Sequence, residues 1–190
     1  MLLAIPYQSL DVENIHLSLF HQDKYGKTIA RLTYKDNSID FQDVCILTPL
    51  LRVIDYQPES SRLRLDVSDN PHFQMKITSL HEYLMSTFFV YQFQFLNQKH
   101  KSPEYIRSLF YSLIDGPVLS LYIYPSLQVQ YANGMRGSIT DIKPNDRIRC
   151  IIRFQGILQM IKRENLHLRL HHSVPTLCCT LHFLEKSAQK

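Results

Sequence analysis

Apolar and polar residues alternate with a period of two along most of the chain, which predicts β-strands that each bury one face. Turn-forming Gly, Pro, Asn and Asp residues separate these alternating runs. The predicted strands are 15–20, 28–34, 41–47, 50–54, 62–67, 118–124, 127–131, 137–142, 147–154, 157–161, 166–171 and 176–183. Gln155-Gly156 predicts a bulge or bend, and residues 162–165 predict a hairpin turn. The apolar residues 1–6 predict a further strand or strand-like arm within residues 1–14.

A helical period replaces the strand period from about residue 73 to residue 99. Apolar residues recur there at steps of three and four, at Ile77, Leu80, Leu84 and Phe88, as in an amphipathic helix. The stretch 88–95 also alternates, so a strand is the alternative for it. Ser102-Pro103-Glu104 predicts the start of a second helix, which we expect to end near residue 114. The predicted fold class is therefore α+β and mostly β, with one or two helices within residues 73–114.

The overall composition fits one folded domain spanning residues 1–190. The chain has a mass of 22.4 kDa and is 45% hydrophobic and 20% charged, which excludes intrinsic disorder and allows a sizeable core. No apolar run reaches the roughly 18–20 residues that a membrane helix needs, so no membrane partner is expected.

The cysteines and histidines show no metal-binding pattern. Cys45, Cys150, Cys178 and Cys179 contain no C-x-x-C motif, and we interpret them as buried thiols of an intracellular protein. The nine histidines include no pair with zinc-site spacing. We therefore expect neither a metal nor a cofactor.

Catalytic motifs are also missing from the sequence. It contains no Walker motif, no G-x-G-x-x-G and no G-x-S-x-G. The pairs Asp40/Asp43 and Asp66/Asp69 have the residue type of a two-metal nuclease, but both lie at turn signals, where Asp makes ordinary local hydrogen bonds. We therefore do not expect an enzyme.

Positive charge is concentrated in one late segment of the chain. Residues 1–135 contain 11 Lys and Arg against 13 Asp and Glu, whereas residues 136–169 contain eight against three. A basic stripe on a neutral body is typical of a protein that binds a polyanion. An ordinary solvated sheet face is the alternative.

Residues 147–154 place this charge on one side of a predicted strand. Ile148, Cys150, Ile152 and Phe154 form an apolar face. Arg147, Arg149 and Arg153 share the opposite face with Ile151. Residues 166–171 repeat the arrangement, with His167, Arg169 and His171 on the polar face. Alternate residues of a strand lie about 6.5–7 Å apart, close to the spacing of phosphates in an extended single strand.

Tyrosines close to this segment are candidate platforms for base stacking. Tyr122 and Tyr124 have the opposite parity to the apolar residues of their strand, and Tyr131 lies in the next strand. A second packed sheet face is the alternative. The predicted nucleic-acid-binding residues are Arg136, Lys143, Arg147, Arg149, Arg153, Lys162, Arg163, Arg169, His171, Tyr122, Tyr124 and Tyr131.

Two parts of the sequence carry a family resemblance. The runs TPLLRV, SRLRLDV and FQMKITSLHEYL, followed by DIKPNDRIRCIIRFQGI and LHLRLHHSV, resemble the OB-fold single-stranded DNA-binding proteins of large double-stranded DNA viruses. The resemblance implies an OB-like small barrel of antiparallel strands with the helices at its flank. It also implies contacts to the DNA strand from Arg147, Arg149, Arg153 and Arg169, and no catalytic residues.

The function expected from these observations is sequence-tolerant binding of single-stranded DNA that coats replication or repair intermediates. RNA as a ligand and a homo-oligomer are left open. If the protein is viral, its location is the host nucleus or a cytoplasmic virus factory. The alternative function is an assembly or replication-complex scaffold that acts through the Phe- and Tyr-rich segment 83–95.

Overall fold

The structure is a computed structural model that describes residues 4–24, 26, 28–37, 39–96, 101–123, 127–131, 135–162, 165–173 and 182–183. Its strands are β1 (Ile5–Pro6), β2 (Ile15–Leu17), β3 (His21–Gln22), β4 (Thr28–Lys35), β5 (Asp40–Phe41), β6 (Val44–Leu47), β7 (Leu51–Gln57), β8 (Arg62–Asp66), β9 (Phe110–Tyr111), β10 (Ile114–Asp115), β11 (Val118–Tyr122), β12 (Gln128–Tyr131), β13 (Arg136–Ser138), β14 (Arg147–Ile148), β15 (Ile151–Lys162), β16 (Asn165–Ser173) and β17 (His182–Phe183). The α-helices are α1 (Pro71–Val90), α2 (Gln92–Leu96) and α3 (Pro103–Leu109).

Within the described residues, these strands form three sheets. The largest has the order β1-β6-β15-β16-β9. Strand β4 also pairs with β15, and β2, β3 and β5 in turn pair with β4. A second sheet has the order β10-β11-β8-β7-β14, and β13-β12-β17 form the third. Most pairs are antiparallel, so the expectation of a mainly β protein with antiparallel sheets and few helices is confirmed. None of these three sheets closes into a barrel in the described part of the chain.

Helix α1 packs on the sheets through the apolar stripe that the sequence predicted. Its buried side chains are Phe73, Ile77, Leu80, Leu84 and Phe88, which recur at helical spacing. Polar side chains on its flanks also attach the helix to the start of the chain. Lys76 Nζ donates to the Leu10 carbonyl at 2.6 Å and Tyr83 Oη donates to that of Ile15 at 3.2 Å.

The aromatic segment 83–95 divides between the core and the surface. Phe88 stacks on Phe95 with ring centroids 4.7 Å apart, and Phe20 contacts both rings edge-on. On the opposite side of the segment, Val90 and Phe93 are each about two-thirds exposed, at 69% and 68%. The segment is helical as predicted up to Leu96, but Tyr91 interrupts it and divides it into α1 and α2; residues 97–99 lie outside the described residues.

Helix α3 begins as the sequence predicted but ends earlier. The Ser102 hydroxyl accepts a hydrogen bond from the Tyr105 backbone N–H at 3.2 Å, which caps the helix. The helix ends at Leu109 rather than near residue 114, because the chain enters β9, which pairs in parallel with β16. A tertiary strand pair thus overrides the local helical pattern.

Strand β15 has different partners on either side of Gly156. Residues 151–154 pair with β6, and residues 156–158 pair with β4 along the same edge of the strand. The pairing of β15 with β16 shifts between Phe154 and Gly156, so the bulge that the sequence predicted there is confirmed. A Cβ on Gly156 would lie 2.0 Å from the Ala30 carbonyl oxygen.

We expect Gly156→Ala to destabilise the fold by about 3 kcal/mol or more, because the new methyl group meets backbone rather than a movable side chain. For a chain of this size this corresponds to a fall of about 10 °C in Tm. Gly116→Ala is the matched control, since Gly116 also has a positive φ, of 55°, but has nothing within 4 Å of the added Cβ. Thermal unfolding of both variants checks this, and an equal fall in Tm in the two variants would contradict it.

Candidate nucleic-acid interface

The late basic segment is distributed over three sheets rather than along one strand. Arg136 lies on β13, Arg147 on β14 and Arg153 on β15. The alternation of 147–154 is confirmed, since the apolar residues are buried and Arg147 and Arg149 are exposed. The prediction of one continuous strand there is wrong, because β14 pairs with β7 of the second sheet while β15 pairs with β6 of the largest sheet.

Arg153 is held by a carboxylate of its own sheet. Its guanidinium donates to Asp43 Oδ2 at 2.6 Å, and its Nε is buried without a hydrogen-bond partner among the described residues. Cys45 lies opposite Arg153 on β6. Burial, followed by the Asp43 charge, raises the pKa of the Cys45 thiol to about 11, although Arg153 opposes this shift. Arg153 is thus held in a half-buried ion pair with Asp43.

The other predicted binding residues occupy several different places. Lys143 and Arg149 are exposed in the connections beside β14. Tyr124 and Arg163 lie outside the described residues, and Lys162, Arg169 and His171 are described by their backbone alone, on β15 and β16. The hairpin that the sequence predicted is confirmed, because Lys162 pairs with Asn165 across its turn.

Tyr131 has contacts within the third sheet. Its hydroxyl donates to Asp141 Oδ2 at 3.1 Å, and its ring covers Gly137, where an added Cβ would lie 2.6 Å from the ring. Burial and the hydrogen bond to Asp141 raise the pKa of Tyr131. The tyrosine thus covers the one residue of its neighbouring strand that has no side chain.

The second sheet brings four arginines and a tyrosine to one solvent-facing side. Alternation along its strands buries residues such as Leu63 and Leu65 and turns their neighbours outward. We call this outward set the arginine face; its residues are Arg52, Arg62, Arg64, Arg147, Tyr122, Asp55 and Asp66.

The register of the sheet arranges this face in rows. One row runs across Arg147, Arg52 and Asp66, on β14, β7 and β8. The next rows place Asp55 opposite Arg64, and then Arg62 between Gln57 and Tyr122. Adjacent strands lie about 4.8 Å apart, so the residues within each row are direct neighbours.

A bulge in β7 is what turns Asp55 onto this face. Val53 pairs with Leu65, but the next paired residue is Asp55, opposite Arg64, so that Ile54 is the inserted residue. Beyond the bulge, Tyr56 points inward opposite Leu63 and packs against the core. Without the inserted residue, Asp55 would face the core and Tyr56 would face solvent.

Two of the four arginines are paired with aspartates on the face itself. Arg64 donates to Asp55 Oδ2 at 3.1 Å, and Arg52 forms an ion pair with Asp66. Hydrogen bonds from Ser68, and then the Arg52 guanidinium, lower the pKa of Asp66 to about 2. Arg147 is more loosely paired, with its guanidinium 3.9 Å from Asp69 and both side chains largely exposed.

Arg62 is the member of this face that contacts an aromatic ring. It donates to Tyr122 Oη at 3.0 Å, and its guanidinium carbon lies 5.2 Å from the centroid of that ring, within cation–π range. Among the described residues, no carboxylate lies within ion-pair distance of Arg62.

Arg52, Arg62 and Arg64 were not among the residues predicted from the sequence. They were missed because the charge was summed over residues 1–135, where acidic residues outnumber basic ones. The strict alternation of residues 62–67 was the available signal, since it places Arg62 and Arg64 on the side opposite Leu63 and Leu65.

The aspartates that could suggest a metal-dependent nuclease each lie near a cation. Asp43 pairs with Arg153, Asp66 with Arg52, Asp40 with Lys35 at 3.8 Å and Asp69 with Arg147. In the described part of the chain, no group of three or more His, Cys, Asp or Glu side chains is placed to hold a metal ion. No helix there is long and apolar enough to cross a membrane.

Comparisons with protein-family models, curated proteins and solved structures found no match to this chain.

We expect Asp66→Asn to lower Tm at neutral pH. The difference in Tm from the unsubstituted protein should shrink as the pH falls from about 4 towards 2. The folded pKa of about 2 lies below the ordinary value of 3.8, so the stability that this carboxylate contributes is present above pH 4 and is lost on acidification. Thermal unfolding of both proteins at several pH values tests this. Asp69→Asn is the control and should change Tm little, because the pair of Asp69 with Arg147 is exposed and long. If Asp66→Asn lowered Tm equally at pH 6 and pH 2.5, the lowered pKa of Asp66 would be contradicted.

Proposed function

We propose that this protein binds single-stranded DNA with little sequence preference through the arginine face, and so coats replication or repair intermediates. The observation that carries the proposal is the cross-strand register that places four arginines and Tyr122 on one exposed side of one sheet. The proposed role is binding without catalysis, inside the cell.

Arginine suits this role because its guanidinium can donate two hydrogen bonds to a phosphate and can also stack on a base. Arg52 and Arg147 lie directly opposite each other on neighbouring strands, where Asp66 and Asp69 partly compensate their charges. The pair of Arg147 with Asp69 is loose and exposed, so a ligand phosphate can replace it. Tyr122, next to Arg62, supplies a ring on which a base can stack.

The proposed interface differs from the surface expected from the sequence. It retains Arg147 and Tyr122 and adds Arg52, Arg62 and Arg64. It leaves out the other residues predicted from the sequence, among them Arg153, whose charge is compensated by Asp43. We propose that the open second sheet serves the purpose that the exposed barrel face serves in OB-fold proteins. Kinship with the viral single-stranded DNA-binding proteins, and with it a host nucleus or virus factory as the location, remains part of this proposal.

We expect a fluorescently labelled oligo-dT to bind at low salt and to be released steeply as salt rises. For about two phosphate contacts, raising the salt from 50 to 200 mM lowers the affinity for a single strand by about sevenfold. Arg62→Ala and Arg147→Ala should each weaken binding and reduce this salt dependence, because each removes one phosphate contact. Fluorescence anisotropy titrations at the two salt concentrations measure both effects.

Two further arginines serve as controls for this experiment. Arg107→Ala, an exposed arginine on α3, should leave binding unchanged. Arg153→Ala should lower Tm, because it breaks the pair with Asp43, and should leave the affinity for oligo-dT nearly unchanged. Absence of binding at 50 mM salt, or binding that does not respond to salt, would refute the proposed function.

Exposed apolar side chains at the end of α1 support a second candidate function, as a scaffold that binds another protein. Val90, Tyr91 and Phe93 are all at least half exposed and lie within four consecutive residues. If this patch makes the protein associate with itself, Phe93→Ser should shift the molecular mass towards the monomer at high protein concentration without lowering Tm. Sedimentation over a range of concentrations, with and without oligonucleotide, measures this, and a concentration-independent monomer in the unsubstituted protein would exclude self-association.

A further inference from the structure

We propose that Asp55 makes the arginine face selective for unpaired strands over duplex DNA and other polyanions, by cancelling the attraction of Arg64 for phosphate. This inference rests on the proposed function and concerns the ligand class of the same face. It follows from where the carboxylates lie relative to the arginines and to Tyr122.

Asp55 contributes charge to this face at a structural cost. Its Oδ2 accepts from Arg64 at 3.1 Å and from Gln57 at 3.5 Å, but its Oδ1 is buried without a hydrogen-bond partner among the described residues. A buried carboxylate oxygen without a donor is unfavourable, so this ion pair is a poor source of stability. Asparagine has the same shape as aspartate and keeps an oxygen that can accept from Arg64, so Asp55→Asn removes the charge with a small structural change, and its Tm measures the cost.

The carboxylate competes directly with a ligand phosphate for Arg64. Arg64 and Asp55 are opposite each other in register, and the Arg64 side chain is partly exposed, so a phosphate that approaches Arg64 also approaches Asp55. Repulsion between the two anions offsets the attraction to the guanidinium. Asp66 has the same relation to Arg52 in the neighbouring row.

The positive charge that remains uncompensated lies beside the aromatic ring. Arg62 contacts Tyr122 and has no carboxylate within ion-pair distance among the described residues. A ligand gains the full attraction of Arg62 at a place where an unpaired base can also stack. Duplex DNA, whose bases are already stacked, and polyphosphate, which has no bases, lack that second contribution.

The experiment compares three probes at 50 mM salt: labelled single-stranded dT10, a labelled 10-base-pair duplex, and inorganic polyphosphate as a competitor. We expect Asp55→Asn to tighten binding of the duplex and of polyphosphate by about fivefold. Binding of dT10 should tighten by less than twofold, because a base stacked on Tyr122 already holds the single strand at Arg62 and makes it less dependent on Arg64. Tyr122→Leu should weaken dT10 binding and leave polyphosphate competition unchanged. Asp55→Ser is the second variant if the asparagine perturbs the sheet, and Tm of each variant verifies folding.

Asp40→Asn is the charge-matched control, since it removes one exposed carboxylate from β5, outside the second sheet. It should leave the ratio of single-strand to duplex affinity unchanged. If Asp55→Asn affects all three probes by the same factor, or if the unsubstituted protein binds duplex as tightly as dT10, the selectivity inference is wrong while the proposed function stands. If no probe binds, the proposed function itself fails.

Discussion

The close approach of β15 to β4 at Gly156 is the constraint on which the largest sheet depends. One edge of β15 pairs with β6 up to residue 154 and with β4 from residue 156, and the change of partner requires backbone to pass where a side chain would otherwise lie. Because β4 in turn carries β2, β3 and β5, this single position joins the first part of the chain to the late strands.

The arginine face depends on a different irregularity, the residue inserted in β7. Ile54 shifts the parity of the strand, so that Asp55 lies beside Arg64 while Tyr56 enters the core. The face is consequently a set of partly compensated charges rather than a uniformly basic groove. Arg62, which has no carboxylate within ion-pair distance in the described part of the chain, lies against Tyr122, and the two combine electrostatic attraction and an aromatic surface at one place.

Much of the local structure could be predicted from the sequence, because it depends on neighbours in the chain. The helical spacing of 77–88, the Ser102 cap and the turn between β15 and β16 are all encoded within a few residues. The early end of α3 could not be predicted in this way, since it reflects pairing with β16, nearly sixty residues later. The assumption that residues 147–154 form one strand failed for the same reason.

The candidate interface shows the same division between local and distant information. Alternation along each strand determined by itself that Arg62, Arg64, Arg147 and Tyr122 point away from the apolar side. Only the tertiary structure decided that they share one sheet, and that Arg153 instead meets Asp43. Side-chain direction follows from the period of the backbone, whereas strand order and register follow from packing between segments that are far apart in the chain.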